Sequence, residues 1–134
     1  MKSLTLKAPW GWAIIHAGKD IENRTWATRH RGTIWVHTGQ GEDSSAFEAP
    51  AIKEALLRAP ERTQGHWFLR GFVLGEVDVV DVHHAEECRK PDGSLCSPWA
   101  ENDQYHWRLK NPRAFACPFP EVGKQGLWEA PVNR

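Results

Sequence analysis

Apolar and polar residues alternate at the start of the chain, which predicts a first strand at residues 3–6. Pro9 follows at a place suited to the first position of a helix, because proline has no N–H to leave unpaired there. Apolar residues then recur at three- and four-residue spacing over residues 10–17, and Gly18 stands where a left-handed helix cap is needed. The pattern therefore predicts a strand followed by a short helix.

Two further segments, residues 20–26 and 33–38, alternate with the period of a strand. A turn at residues 29–32 separates them. The first segment carries a charged face and the second carries isoleucine and valine on one face. Their closeness along the chain predicts a hairpin or adjacent strands.

The middle of the chain predicts helix and then the strongest strand. Residues 42–58 have a helical apolar stripe, with Ser44 or Ser45 as N-cap and Pro50 splitting the segment. Residues 71–82 are rich in valine and predict a long strand, in which two glycines permit the bend that closes a small barrel.

The last third predicts little regular structure beyond one strand at residues 104–109. Residues 83–99 are polar and rich in turn formers, and prolines break the tail at positions 112, 118, 120 and 131. Five to six short strands with two or more short helices in the connections predict a small β-barrel of the α+β class.

The chain has 134 residues, which predicts a single domain over residues 1–134. Lys plus Arg and Asp plus Glu each number 17, so a polycationic surface for nucleic acid or membrane is excluded. Three irregularly spaced cysteines and no long apolar run predict a cytoplasmic protein without a membrane segment.

Eight tryptophans are too many for the core of so small a domain, so some indoles are expected to line a surface cleft. Charge and aromatic rings interleave around the segment 20–26. Glu22, Arg24 and Trp26 share one face of the predicted strand, and Lys19 lies at its entrance.

These residue types suit a flat anionic ligand. Lys19 and Arg24 are expected to hold phosphate, Trp26 or Trp10 to stack a base, and Glu22 to accept a proton of the base or sugar. The alternative is a solvated strand face on which Glu22 merely pairs with Arg24 or Lys19.

The charged segment belongs to a longer pattern that resembles the ASCH domain of the PUA-like superfamily. Its signature is Gly-Lys-x-x-Glu-x-Arg at residues 18–24, with Pro-Trp ahead of it and Arg-Gly behind. The resemblance continues through residues 71–77 and into the tryptophan-containing elements at 97–99, 105–107 and 126–128. It covers nearly the whole chain.

The resemblance implies a five- or six-stranded PUA-like barrel with a cleft beside the first helix. Its relatives bind RNA or modified nucleotides. Some small bacterial members resemble amidohydrolases of acylated cytidine that use Lys, Thr and Glu; Lys19 matches the lysine, while Glu22 stands where the hydroxyl residue would be. Other members are proposed to cleave RNA without a metal.

The first hypothesis is therefore binding of RNA, single-stranded nucleic acid or a modified nucleoside. The residues expected to bind the ligand are Trp10, Lys19, Glu22, Arg24, Trp26, Arg29, Arg31 and Tyr105. The second hypothesis is a metal-independent ribonuclease or nucleoside amidohydrolase with Lys19 and Glu22 as the catalytic pair. A third is a protein-interaction domain with a tryptophan-rich surface.

Other residues can complete the site. His16 and His37 are natural acid–base candidates, because imidazole titrates near neutral pH. Glu101, Tyr105 and Trp107 can reach the same cleft.

A metal site is not favoured by spacing, and no cofactor is expected. Ligand-type residues occur at His83, His84, Cys88, Cys96 and Cys117, but no pair has the Cys-x-x-Cys spacing of a structural zinc site. The favoured interpretation is a loop of solvent-facing histidines with small buried thiols.

Overall fold

The computed structural model describes residues 1–132, with residue 62 described by its backbone alone. The strands are β1 (Lys2–Ala8), β2 (Ile21–Arg24), β3 (Gly32–Glu42), β4 (Phe72–His84), β5 (Tyr105–Pro120) and β6 (Leu127–Glu129). The helices are α1 (Trp10–His16), α2 (Pro50–Arg58), α3 (Glu61–Gln64) and α4 (Ala85–Cys88), with 3₁₀ turns at Ser44–Glu48 and Gly65–Phe68. None of these helices has the length and apolar character that crossing a membrane requires.

The six strands form one mixed sheet in the order β2-β5-β4-β3-β1-β6. Strand β1 pairs with β3 in parallel, and the other neighbours are antiparallel. The predicted pairing of the segments 20–26 and 33–38 is wrong. Both edges of β3 are taken by β4 and β1, so β2 pairs instead with the start of β5, at one end of the sheet.

The sheet curls so that its two ends approach each other without a closing ladder. Arg24 of β2 donates from Nη2 to the carbonyl oxygen of Thr5 in β1, 2.9 Å away. Gly126, just before β6, lies against Trp26: a Cβ built on this glycine would be 3.5 Å from the indole. The α+β prediction of a small barrel-like sheet with short connecting helices is confirmed.

Helix α1 covers the concave side of the sheet and ends as its pattern predicts. Gly18 has φ +75°, the left-handed conformation expected of a cap residue. Five successive residues of the helix, 11–15, are buried. They join a core in which the largest fully buried side chains include Trp12, Trp107, Leu4, Ile14, Ile34 and Leu74.

The predicted helical region 42–58 forms, but its start differs from the prediction. Pro50 splits it and occupies the first turn of α2. Asp43, rather than Ser44 or Ser45, precedes the 3₁₀ turn, and Ser45 donates its hydroxyl to the Asp43 carboxylate over 2.6 Å.

Strand β5 is longer than the predicted strand at 104–109 and continues through Pro112 and Pro118. The prediction that prolines break this part of the chain is wrong. Strand β2 pairs only with residues 105–108 of β5, so beyond them no strand of the described chain pairs with that edge. An edge without ladder bonds tolerates residues that lack an N–H.

Candidate functional site

A cleft of about 780 Å³ lies where the two ends of the sheet meet. Strand β2 forms one wall, β1 and the segment before β6 form the other, and the N-terminus of α1 contributes a tryptophan. The lining residues used below are Thr5, Lys7, Trp10, Glu22, Arg24 and Trp26. The structure thus brings together four of the eight sequence-predicted binding residues at the cleft itself.

Lys19, Glu22 and Arg24 form a chain of charges, here called the charged triad. Glu22 accepts hydrogen bonds from Lys19 Nζ at Oε1 and from Arg24 Nε at Oε2, both at 3.0 Å. The side chains of Lys19 and Glu22 are 3% and 9% exposed. The alternative of a solvated strand face therefore names the right partners for Glu22, but Lys19 and Glu22 are buried rather than solvated and only Arg24 is partly exposed.

Local backbone geometry places the triad. The left-handed turn at Gly18 reverses the chain after α1, and the Lys19 N–H caps the helix by donating to the Ala13 carbonyl oxygen over 3.1 Å. Two residues later β2 begins, and Glu22 lies opposite Trp107 in the ladder with β5. The residues of the signature are thus spaced so that a helix cap is followed directly by an edge strand.

The ammonium group of Lys19 is occupied by the protein itself. It donates to the Ile21 carbonyl oxygen and to Glu22, and it lies 5.3 Å from the centre of the Trp10 ring. Arg24 is less enclosed. Its Nε and Nη2 have protein partners, whereas no described residue accepts a hydrogen bond from Nη1.

Two indoles border the cleft in different ways. Trp10 is fixed by its Nε1–H, which donates to Asp43 over 3.0 Å. Trp26 is 37% exposed and stands edge-to-face on Trp107, with ring centres 4.9 Å apart. Trp107 is fully buried and donates its Nε1–H to the Trp26 carbonyl oxygen, so Trp26 has a rigid support beneath a partly open ring.

A second cavity of about 430 Å³ continues from the cleft past Trp10 and Glu22. Lys19, Trp99 and Glu101 line it as well. The backbone N–H of Glu101 donates to Asn23 Oδ1 over 2.9 Å, and the Asn23 amide donates in return to the Trp99 carbonyl oxygen. The segment before β5 is therefore joined to β2 at this second cavity.

Three of the predicted binding residues lie outside the linings of both cavities. Arg29 and Arg31 are exposed in the connection before β3, where Arg31 donates to the carbonyl oxygens of Thr28 and His30. Tyr105 pairs with Arg24 in the ladder, but its ring packs against His84 at 5.2 Å.

Of the two histidine candidates, His37 is buried and His16 is partly buried. His37 is buried, contacts Thr5 Oγ1 through Nδ1 and donates from Nε2 to the Glu121 carbonyl oxygen, and burial lowers its pKa. Burial also lowers the pKa of His16, which packs against His66. The lowered pKa values favour the neutral form of both rings, and neither ring lines the cleft.

Sequence reasoning missed Lys7. It is exposed, lines the cleft from β1, and forms no ion pair with any described residue. Strand β1 alternates, and Lys7 is its one fully exposed position, next to the Pro-Trp element. That outward lysine was the available signal.

The sequence places the chain in a known family. The sequence matches the model described as the ASCH domain over residues 4–119. It is 27% identical over 130 residues to a protein of Mus musculus named Activating signal cointegrator 1, covering 94% of this chain and 22% of that protein. The Homo sapiens protein of the same name matches at the same identity and coverage. The chain thus spans about a fifth of the length of these relatives.

Proposed function

The chain belongs to the ASCH domain family, and from that premise we propose that it binds single-stranded nucleic acid, RNA foremost, in the cleft between β2 and β1. A base enters beside the indole of Trp26. Lys7 and the Nη1 edge of Arg24 contact the flanking phosphates. The observation that carries the proposal is an indole wall next to a guanidinium that keeps one nitrogen without a partner among the described residues.

The triad supports this assignment by its charge. One carboxylate between two cations leaves a net positive charge at the cleft wall, although the whole chain is neutral. Because Glu22 fixes Arg24 through Nε, the guanidinium is oriented before a ligand arrives, which reduces the entropy lost on binding. Arginine held in this way recognises phosphate through its remaining N–H groups.

The contacts of Lys19 favour binding over hydrolysis. A general base must reach the proton it removes, and the Lys19 ammonium is enclosed by Ile21, Glu22 and the Trp10 ring. The ribonuclease and the amidohydrolase of acylated cytidine therefore stay alternative predictions.

The two proposed phosphate contacts limit how strongly the affinity for RNA depends on salt concentration. Each contact on a single strand contributes about −0.7 to the slope of log K against log salt concentration, so a slope of about −1.4 is expected. Stacking on an aromatic ring adds about 1–3 kcal/mol per base and is insensitive to salt. The affinity should thus be modest and should depend on one stacked base.

The test is fluorescence anisotropy with a short labelled RNA across a salt series. Lys7→Gln should weaken binding and reduce the slope by about 0.7. Trp26→Ala should weaken binding about 5- to 150-fold and keep the slope. Lys110→Gln, which removes an exposed charge outside both cavities, is the matched control and should change nothing.

Equal effects of Lys7→Gln and Lys110→Gln would contradict the proposal, as would RNA binding that survives Trp26→Ala in full. DNA of the same sequence tests the preference for RNA. Incubation with RNA and with acetylated cytidine tests turnover, and a product that disappears with Lys19→Met would support the hydrolase alternative instead.

A further inference from the structure

Four ligand-type side chains converge away from the cleft, at the ends of β4 and β5. They are His83, Cys88, Cys96 and His106, and their Nε2, Sγ, Sγ and Nδ1 atoms all lie within 4.8 Å of one another. His83 and His106 are paired in the antiparallel ladder, so the sheet register itself sets them side by side. Cys88 ends α4, and Cys96 lies in the following turn.

The hydrogen bonds of the two imidazoles fix which nitrogen faces the cluster. His106 Nε2 lies 2.7 Å from the Glu101 carbonyl oxygen, which only accepts, so this nitrogen carries the proton. His83 Nδ1 lies 2.8 Å from the Asp81 carboxylate and carries its proton for the same reason. In the neutral rings the remaining nitrogens, 3.2 Å apart, are therefore two lone pairs that face each other.

Facing lone pairs repel unless a cation lies between them. A shared proton would satisfy the two nitrogens of His83 and His106, but it would not account for two sulfur atoms converging on the same point. A metal ion accounts for all four. Histidine ligands of metals almost always donate the other ring N–H to a carboxylate or a backbone carbonyl, as both do here.

Four of the six distances between the ligand atoms match those of a tetrahedral zinc site. Zn–N bonds of about 2.0–2.1 Å and Zn–S bonds of about 2.3 Å give tetrahedron edges of roughly 3.3 Å between nitrogens and 3.6 Å between nitrogen and sulfur. The nitrogens of His83 and His106 are 3.2 Å apart. Cys96 Sγ is 3.4 Å from His83 and 3.7 Å from His106, and Cys88 Sγ is 3.5 Å from His106.

We propose that His83, Cys88, Cys96 and His106 bind one structural Zn²⁺ ion through two imidazole nitrogens and two thiolates. Two sulfur and two nitrogen ligands in a tetrahedron select zinc among the common divalent ions. Binding releases the two thiol protons to solvent, and two thiolates neutralise the ion. Four protein ligands leave no position for substrate, so the role is structural.

The ion would anchor the connection between β4 and β5 to the strands that flank it. Its ligands come from both strands and from two points within that connection. The same connection carries Trp99 and Glu101 to the second cavity, and the Glu101 carbonyl oxygen is the acceptor that orients His106. The zinc site thus fixes one wall of that cavity, a role that does not depend on what the cleft binds.

The test is metal content and metal affinity of the full chain, purified without a metal-affinity tag or chelator. Elemental analysis should find one zinc per chain. Titration of the metal-stripped chain with Co²⁺ should saturate at one equivalent, with the visible absorption of tetrahedral cobalt and a thiolate charge-transfer band. Cys96→Ser should lower the affinity for both ions at least about 100-fold.

Cys117→Ser is the matched control, because Cys117 is an exposed thiol outside the cluster, and it should bind metal as the wild type does. Asp81→Asn removes only the charge that orients His83 and should weaken binding about 10- to 100-fold. Cys96 is exposed, so its serine variant should fold, and circular dichroism checks this. Absence of a Co²⁺ spectrum from the reduced chain, or an equal loss of affinity in Cys117→Ser, would overturn the proposal.

Discussion

Replacement of Glu22 by glutamine tests the charged triad directly, because the two side chains have the same shape and differ in charge. In the wild type the carboxylate lies between Lys19 and Arg24, 3.0 Å from each. Glutamine keeps one acceptor oxygen and replaces the other with an NH₂ group, which faces a cation. The buried Lys19 then loses its counter-charge.

The expected cost follows from burial. Removal of one partner from a buried ion pair costs about 3–5 kcal/mol, whereas exposed pairs contribute about 0–1 kcal/mol. Lys19 and Glu22 are 3% and 9% exposed, but the Arg24 side chain is 19% exposed and is partly screened by solvent. The lower end, about 3 kcal/mol, is therefore expected. In a chain of this size that lowers Tm by about 10 °C.

The assay is urea unfolding followed by tryptophan fluorescence. Glu54→Gln is the matched control, since Glu54 pairs with Arg58 at 2.8 Å while both side chains are more than half exposed. It should cost at most about 0.5 kcal/mol. Lys19→Met and the double variant with Glu22→Gln complete a thermodynamic cycle, in which the double variant should cost at least about 1 kcal/mol less than the sum of the singles.

Two outcomes would refute the reasoning. If Glu22→Gln lowers the free energy of unfolding no more than Glu54→Gln does, the stability that the triad contributes does not depend on its charges. If the two single changes at positions 19 and 22 add without coupling, the cost comes from packing rather than from the ion pair.

Two further predictions concern the sheet. Gly75→Ala should destabilise the chain by at least about 2 kcal/mol in the urea assay, because the added Cβ would lie 2.3 Å from the Arg113 carbonyl oxygen. Gly65→Ala is the control. A Cβ at position 65 has no neighbour within 4 Å, so this change should be neutral or stabilising. Asp78, whose pKa falls to about 2 through hydrogen bonds led by that from Arg113, binds its proton less readily folded than unfolded. Its contribution, about 1–2 kcal/mol after solvent screening, is present above pH 4 and is lost as pH falls towards 2. The stability difference between the wild type and Asp78→Asn should therefore shrink over that pH range, and a difference independent of pH would contradict this.

The local pattern of apolar residues was enough to predict the helices and strands that are determined by nearby residues. Helix α1 with its cap at Gly18 and the valine-rich strand β4 follow from the spacing of apolar residues, so the sequence predicted them well. Pairing is not local. Strand β2 pairs with β5 because β4 and β1 already occupy both edges of β3, and nothing within the segment 20–38 carries that information.

The candidate site divides in the same way. Glu22 and Arg24 alternate on β2, so their shared face was predictable, whereas Trp26 lies two residues beyond the end of that strand and reaches the cleft from the following connection. The burial of Lys19 was not, because it arises from Trp10 and the cap geometry of α1. Lys7 reaches the cleft only because the sheet curls.

The cluster of His83, Cys88, Cys96 and His106 shows the limit of spacing rules. Neighbouring positions along the chain set His83 beside His84. The ladder between β4 and β5 instead brings His106 opposite His83, across a connection of twenty residues. His84 caps α4 through its own side chain, and Cys117 lies elsewhere on β5.

The join between the two ends of the open sheet ties cleft width to sheet curvature. Strand β2 has four residues and pairs along one side only within the described chain, and the hydrogen bond from Arg24 to Thr5 holds it against β1. Any change that flattens the sheet separates these walls, even one made deep in the core. The proposed binding is therefore thermodynamically linked to sheet curvature: an occupant that fits would tighten the curl, and a distant repacking would weaken binding while leaving every contacting side chain in place.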